Sequence, residues 1–267
     1  MKKTVIYISA IAVLFSCTKE NLGNNESFSE VKAEIVQKGT DVKVLIGDKD
    51  GDYYPLTWSA GDGIYAMTST PTSTTEDKYF TSTVNPASAG TQIGYFPYPA
   101  GEDITTMIAV HGGTIKKGSK YTYWKPETRS FKVACEVPIN QDAFTVPMYA
   151  KYVDGSLKFH PAAAIIKFVN IPEGYTSATL DAMTFWFSIN SNGDYEQGTI
   201  SGGSIKPNKS NLNINPYFAT YSDSVNKRNF KIFISNGSKK KMYTVNKTLE
   251  AGKLYTLDCT KFTDVED

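Results

Sequence analysis

Imidazole is scarce in this chain: His111 and His160 are its two histidines, so any His-based triad or zinc site has to use one of them. No C-x-x-C, H-E-x-x-H or phosphate-binding glycine loop accompanies them. His111-Gly112-Gly113 has the form of an oxyanion loop, but no G-x-S-x-G nucleophile turn goes with it. A Gly-Gly turn closing a strand over Met107 to Val110 is the better reading. His160 precedes Pro161 in an apolar stretch and reads as a packed or strand-end histidine. Gly61-Asp62-Gly63 offers a single carboxylate in a tight turn, weak ground for calcium, and no Asp/Glu pair is privileged enough for glycoside chemistry. The expectation is a protein that is not an enzyme, with no metal and no cofactor. One aromatic cluster, Tyr121, Tyr123 and Trp124, could stack on sugar rings and is the candidate glycan contact. Aromatics of this kind also fill the cores of β-sandwiches. Asp223-Ser224-Val225 matches a short bacterial O-glycosylation pattern, at a length where a chance match is expected.

The strongest chemical signal is a thiol near the start. Lys2 and Lys3 precede an apolar stretch, Thr4 to Phe15, which is shorter than the roughly 20 apolar residues needed to cross a bilayer. Residues 1–16 therefore read as a signal peptide and fall outside fold reasoning. The stretch ends in Leu14-Phe15-Ser16-Cys17, which resembles the lipobox of bacterial lipoproteins, whose cysteine is acylated and becomes the new N-terminus. Each buried lipid CH₂ contributes about 0.8 kcal/mol, so two or more chains on Cys17 would hold the protein to a membrane. The residue after it is Thr18 rather than aspartate, which in that resemblance favours the outer membrane. Residues 17–30, rich in Asn and Ser, read as a flexible tether.

The elements that would position such groups are strands. Lys+Arg 28 against Asp+Glu 27 leaves a formal charge of +1, and nothing suggests a nucleic-acid footprint. An aromatic content of 13%, with 17 Tyr, 20 Gly and 12 Pro, leans toward strands and turns. Period-two alternation recurs: Val42, Val44 and Ile46; Phe131, Val133, Cys135 and Val137; Phe230, Ile232 and Ile234. Asn236-Gly237 is a hairpin signal, and Asp50-Gly51, Asp154-Gly155 and Asn192-Gly193 are further turn candidates. Pro161 to Val169 has a helix-like Ala162 to Ala164, but its β-branched Ile165, Ile166 and Val169 argue at least equally for a strand. The class expected is all-β, as two sandwiches in series over residues 31–152 and 153–267, with the boundary near Lys151 to Ser156. Cys135 and Cys259 are either a disulfide or two buried thiols.

Four phrases, in order, resemble the fimbrillin-like lipoproteins of Bacteroidetes. They are Trp58-Ser59-Ala60-Gly61-Asp62-Gly63-Ile64; Tyr95-Phe96-Pro97-Tyr98; Pro147 to Ala150 with Leu157 to Pro161 and Ala164 to Phe168; and Leu249 to Leu257. The resemblance implies two transthyretin-like β-sandwich domains and a structural or adhesive subunit of cell-surface fimbriae at the outer membrane. Its partners would be other fimbrial subunits and the membrane, through lipid on Cys17, with a host glycan or protein as a further candidate. A carbohydrate-binding surface lipoprotein is the alternative. In pilus-forming members a trypsin-like protease removes the first strand, and a neighbour's strand fills the gap. Here the first arginine is Arg129, so Lys38 is the candidate processing site, and a cut there would remove Val31 to Val36. Four inward apolar side chains on such a strand would contribute about 6–12 kcal/mol gross, at about 1.5–3 each.

Overall fold

Alternating apolar residues become strands throughout the computed structural model, which describes residues 28–36, 44–46, 56–69, 79–112, 123–125, 130–135, 146–180, 184–200, 209–213, 217–220, 230–246 and 249–265. Among these residues there is no α-helix, only strands and three short 3₁₀ turns. Strands are numbered in chain order. The largest sheet has seven, ordered β4 (Phe80–Thr83), β3 (Gly63–Met67), β6 (Ile108–His111), β9 (Met148–Val153), β10 (Ser156–Pro161), β1 (Phe28–Ile35) and β5 (Ile93–Pro99). It curls until its edge strands meet, where the Ser82 hydroxyl on β4 donates to the Pro97 carbonyl on β5 at 2.6 Å. Its concave face encloses a core that includes Trp58, Ile64, Phe96, Met107, Leu157 and Phe159.

A four-stranded sheet packs on the convex side, ordered β14 (Tyr195–Ile200), β13 (Thr184–Asn190), β8 (Ser130–Cys135) and β7 (Tyr123–Lys125). Phe131, Val133, Phe187 and Ile189 from it meet Met67, Ile108 and Val110 of the large sheet. Two more sheets form a sandwich. One is β16 (Tyr217–Thr220), β11 (Ala164–Val169), β19 (Leu254–Asp258) and β2 (Val44–Ile46); the other is β15 (Lys209–Asn211), β12 (Ser177–Leu180), β17 (Phe230–Ser235), β18 (Lys240–Val245) and β20 (Thr263–Asp264). Ile166, Phe168 and Leu257 face Ala178, Ile232 and Ile234 across its core, while Ile165 and Leu254 point the other way, into the core of the large sheet. Alternation along one strand thus feeds two cores.

The all-β class agrees with the expectation from the sequence. The division at 152/153 falls inside the β9–β10 hairpin, whose second strand lies within the first sheet. Pairing also crosses that point elsewhere: β13 pairs with β8, and β2 with β19. The turn signals correspond to real turns. Asp154 and Gly155 both take positive φ, 49° and 85°, as a two-residue hairpin of the type I′ class requires. Asn192-Gly193 joins β13 to β14, and Asn236-Gly237 lies between β17 and β18. Pro161 to Val169 is strand at both ends, with Ala162 and Ala163 buried between β10 and β11. Asp50-Gly51 lies outside the described residues.

Candidate functional site

The first strand of the described chain, β1, is not at an edge. It runs antiparallel to β5, with register from Phe28 opposite Pro99 to Glu34 opposite Ile93, and parallel to β10, with Ala33 to Ile35 opposite Leu157 to Phe159. Alternation turns Val31, Ala33 and Ile35 inward, and all three are buried. The inward apolar set therefore has three members rather than the four expected, one of them a bare methyl. Val31 and Ile35 contribute about 3–6 kcal/mol gross, at about 1.5–3 each. Backbone bonds continue past the strand end, where Ile35 N–H reaches the Gln92 carbonyl at 2.9 Å and Val36 N–H the Phe159 carbonyl at 2.7 Å.

Trp58 forms the floor beneath β1. Its ring stands edge-on to Phe96 of β5 at 5.0 Å and to Phe159 of β10 at 5.1 Å, so it bridges the two strands that flank β1. Its backbone is fixed on both sides: N–H to the Thr91 carbonyl, and carbonyl from Gly90 N–H, each at 2.8 Å. Ala33 lies opposite Gly94. A Cβ on Gly94 would stand 2.9 Å from both Cδ1 and Nε1 of the indole, inside any tolerable contact. Gly94 is thus the gap that lets the indole lie against β5. The indole N–H itself is buried with no hydrogen-bond partner among the described residues.

The outward side of β1 is charged. Glu34 receives Lys32 Nζ and Lys158 Nζ, each at 2.5 Å, and Lys158 lies directly opposite it on β10. The hydrogen bond from Lys158, then that from Lys32, lowers the Glu34 carboxyl to about 2. Further along, the Asn85 amide donates to Glu30 at 3.2 Å. The outer edge of β5 is covered: Tyr95 carbonyl accepts Asn85 N–H at 2.8 Å, Tyr95 N–H donates to Ser88 Oγ at 3.3 Å, and Pro97 carbonyl takes the Ser82 hydroxyl. Adding a strand there is blocked, because its backbone groups already have partners.

Cys17, Lys38 and Tyr121 lie outside the described residues. Tyr123 and Trp124 sit on β7, an edge strand of the convex-side sheet, opposite Lys132 and Phe131. On β13, beyond β8 in the same sheet, Trp186 has Lys132 Nζ 3.7 Å above its ring, so its face is already occupied by a cation. His111 closes β6, donates from Nδ1 to the Gly63 carbonyl at 2.8 Å, and stands edge-on to Trp58. His160 packs on Tyr149. Asp62 accepts Ser59 N–H at 2.7 Å, which makes its glycine pair a structural turn. Cys259 is a free, buried thiol, and burial pushes it up to about 12, far from the thiolate that redox chemistry needs. Cys135 lies by its backbone opposite Phe185. Among the described residues no three His, Cys, Asp or Glu side chains come together. Sequence reading passed over Ala33, Gly94 and Lys158, since small residues and single lysines carry no pattern of their own.

No family model and no curated protein sequence matches the chain. Several solved structures are similar to it, two of them as follows. One is a fimbrial assembly protein from Parabacteroides distasonis, 12% identical over 90% of this chain and 95% of that one, with a TM-score of 0.42. The other is a fimbrial protein from Bacteroides ovatus, 11% identical over 87% of this chain and 49% of that one, with a TM-score of 0.36.

Proposed function

We propose that the protein is a non-enzymatic structural or adhesive subunit of cell-surface fimbriae, exported to the outer membrane as a lipoprotein on Cys17 and assembled by strand exchange at the position of β1. The observation that carries this reading is that β1 lies inside its sheet while the chain before it holds no other described strand. Cleavage after Lys38 would free β1 without cutting any other described strand. What remains would be an apolar groove over Trp58 with two unpaired strand edges, and an incoming strand satisfies both kinds of surface. The partners are accordingly other fimbrial subunits.

N-terminal sequencing of the protein purified from the cell surface tests this, alongside micrographs of wild-type and deletion strains. The expected result is a chain beginning at Gly39 in filaments that the deletion strain lacks. A surface population that begins uniformly at acylated Cys17, with filaments unchanged by the deletion, would sink the proposal.

A further inference from the structure

We infer that the β1 position selects for strands with a small residue over Trp58, an apolar residue two places to either side, and an acid facing Lys158, and that after processing such a strand comes from a different protein. This rests on the strand-exchange reading. The size limit follows from three observations. Trp58 spans from Phe96 to Phe159 beneath the strand. The residue opposite Ala33 on β5 is Gly94, and even one added carbon there would collide with the indole at 2.9 Å. Ala33 itself is fully buried, so a longer side chain has no route to solvent. Opposed side chains on paired strands stand about 4.5–5.5 Å apart, so Ala33 and the indole edge share one confined space. The flanking positions take bulk, because Val31 and Ile35 lie opposite Phe96 and beside Phe159. The charge requirement follows from Lys158, whose described partner is Glu34 on β1. A lysine at that place in the occupant would set like charges directly opposite, which destabilises paired strands.

The demand reads apolar, any, Gly/Ala/Ser, acid, apolar. Along the whole sequence that order occurs at Val31-Lys32-Ala33-Glu34-Ile35 and nowhere else. Val133-Ala134-Cys135-Glu136-Val137 keeps both apolar places and the acid but has the larger cysteine at the central place. That segment is committed, since Ser130–Cys135 is β8, paired on both sides with Phe131 and Val133 buried. A chain that has lost β1 therefore holds no free segment that fits the slot of a second copy, and the donor has to be another protein carrying the pattern.

The test uses the full chain with a specific protease site set into residues 37–40, nicked so that β1 stays in place without a covalent link. Labelled peptides are then offered: residues 28–36 as they stand, the same with Ala33→Leu, the same with Glu34→Lys, and residues 130–137. The first should exchange into the slot. Overpacking should weaken the Ala33→Leu peptide by about tenfold or more, and residues 130–137 should not enter. The Glu34→Lys peptide should enter poorly, and better in a Lys158→Glu body. Equal exchange by the Ala33→Leu peptide overturns the size rule while leaving strand exchange standing. A folded nicked protein that takes up no peptide at all overturns the reading beneath it. Filaments formed by the processed chain alone overturn the assignment of the donor to another protein. Should nicking unfold the protein, the intact chain decides: Ala33→Leu should lower the denaturation midpoint and Ala33→Ser leave it near wild type, and equal midpoints overturn the size rule.

Discussion

Glu34 owes its charge to two ammonium groups, and the consequence is a dependence of stability on acid. Lys158 and Lys32 hold the folded carboxyl near 2, whereas the ordinary value is 4.5. The folded state thus binds its proton less readily than the unfolded chain, so the stabilisation is complete above about 4.5 and drains as pH falls from about 4.5 toward about 2. The groups are partly open to water, with side-chain exposure of 27% for both Glu34 and Lys158, so the size is on the order of 1 kcal/mol. Denaturant midpoints of wild type and Glu34→Gln, measured at neutral pH, at pH about 3 and at pH about 2, should differ most at the first, less at the second, and converge at the third. A gap that stays constant across that range would show that the pairing does not set the carboxyl. The same residue illustrates what sequence could not show. The strand containing it was marked in the sequence as the stretch Val31 to Val36 that a cut at Lys38 would remove, but its lysine partner lies on β10, far along the chain. Nothing local in the sequence announces a parallel neighbour.

Hairpins are the opposite case, because their chemistry is local. Asp154-Gly155, Asn192-Gly193 and Asn236-Gly237 were all readable as turns from two residues each, since they suit the positive φ that a tight reversal demands. Gly155 has φ of 85° with open space where a Cβ would stand. Substituting Gly155→Ala should therefore meet no neighbour and lose only backbone conformational energy, about 1–2 kcal/mol. Asp154→Asn keeps a residue that tolerates the left-handed region, and should hold the wild-type midpoint. Urea denaturation of the two variants checks both statements, and an unchanged midpoint for Gly155→Ala would contradict the turn assignment. By contrast, Gly193 serves two ends. Its φ is 85°, and a Cβ there would stand 2.6 Å from Lys151 Cδ, whose ammonium donates to the Asn192 carbonyl at 2.7 Å. The turn was legible; its docking on β9 was not. Trp58, Phe96 and Leu157 to Phe159 were marked by the phrases quoted from the sequence, and they prove to surround β1. Ala33 and Gly94, which fix the shape between them, were invisible because an absent side chain has no periodicity.

At the scale of the whole molecule, the pairing of distant strands decides how the protein unfolds. β10 follows the 152/153 point yet lies between β9 and β1, which precede it; β13 pairs with β8 across the same point, and β2 with β19. Ile165 and Leu254 are buried in the core around Trp58, and Tyr149 of β9 stacks on Tyr195 of β14 at 4.1 Å. Separating residues 17–152 from 153–267 would leave β1 without its parallel partner and the Trp58 core without Leu157 and Phe159. It would equally leave β13 without β8 and strip the cover from Phe187 and Ile189. Each piece would then carry exposed apolar faces and open strand edges, the condition in which β-rich chains associate rather than fold. Neither piece expressed alone should show a cooperative melt, and the two expressed together should recover one. Calorimetry of the intact chain should give a single transition with calorimetric and van't Hoff enthalpies in agreement. A cooperative melt from 153–267 alone would mean that the sandwich around Ile166, Phe168, Ile232 and Ile234 is sufficient by itself. In that case the crossing strands β8 and β2 would be additions to it rather than conditions of its folding.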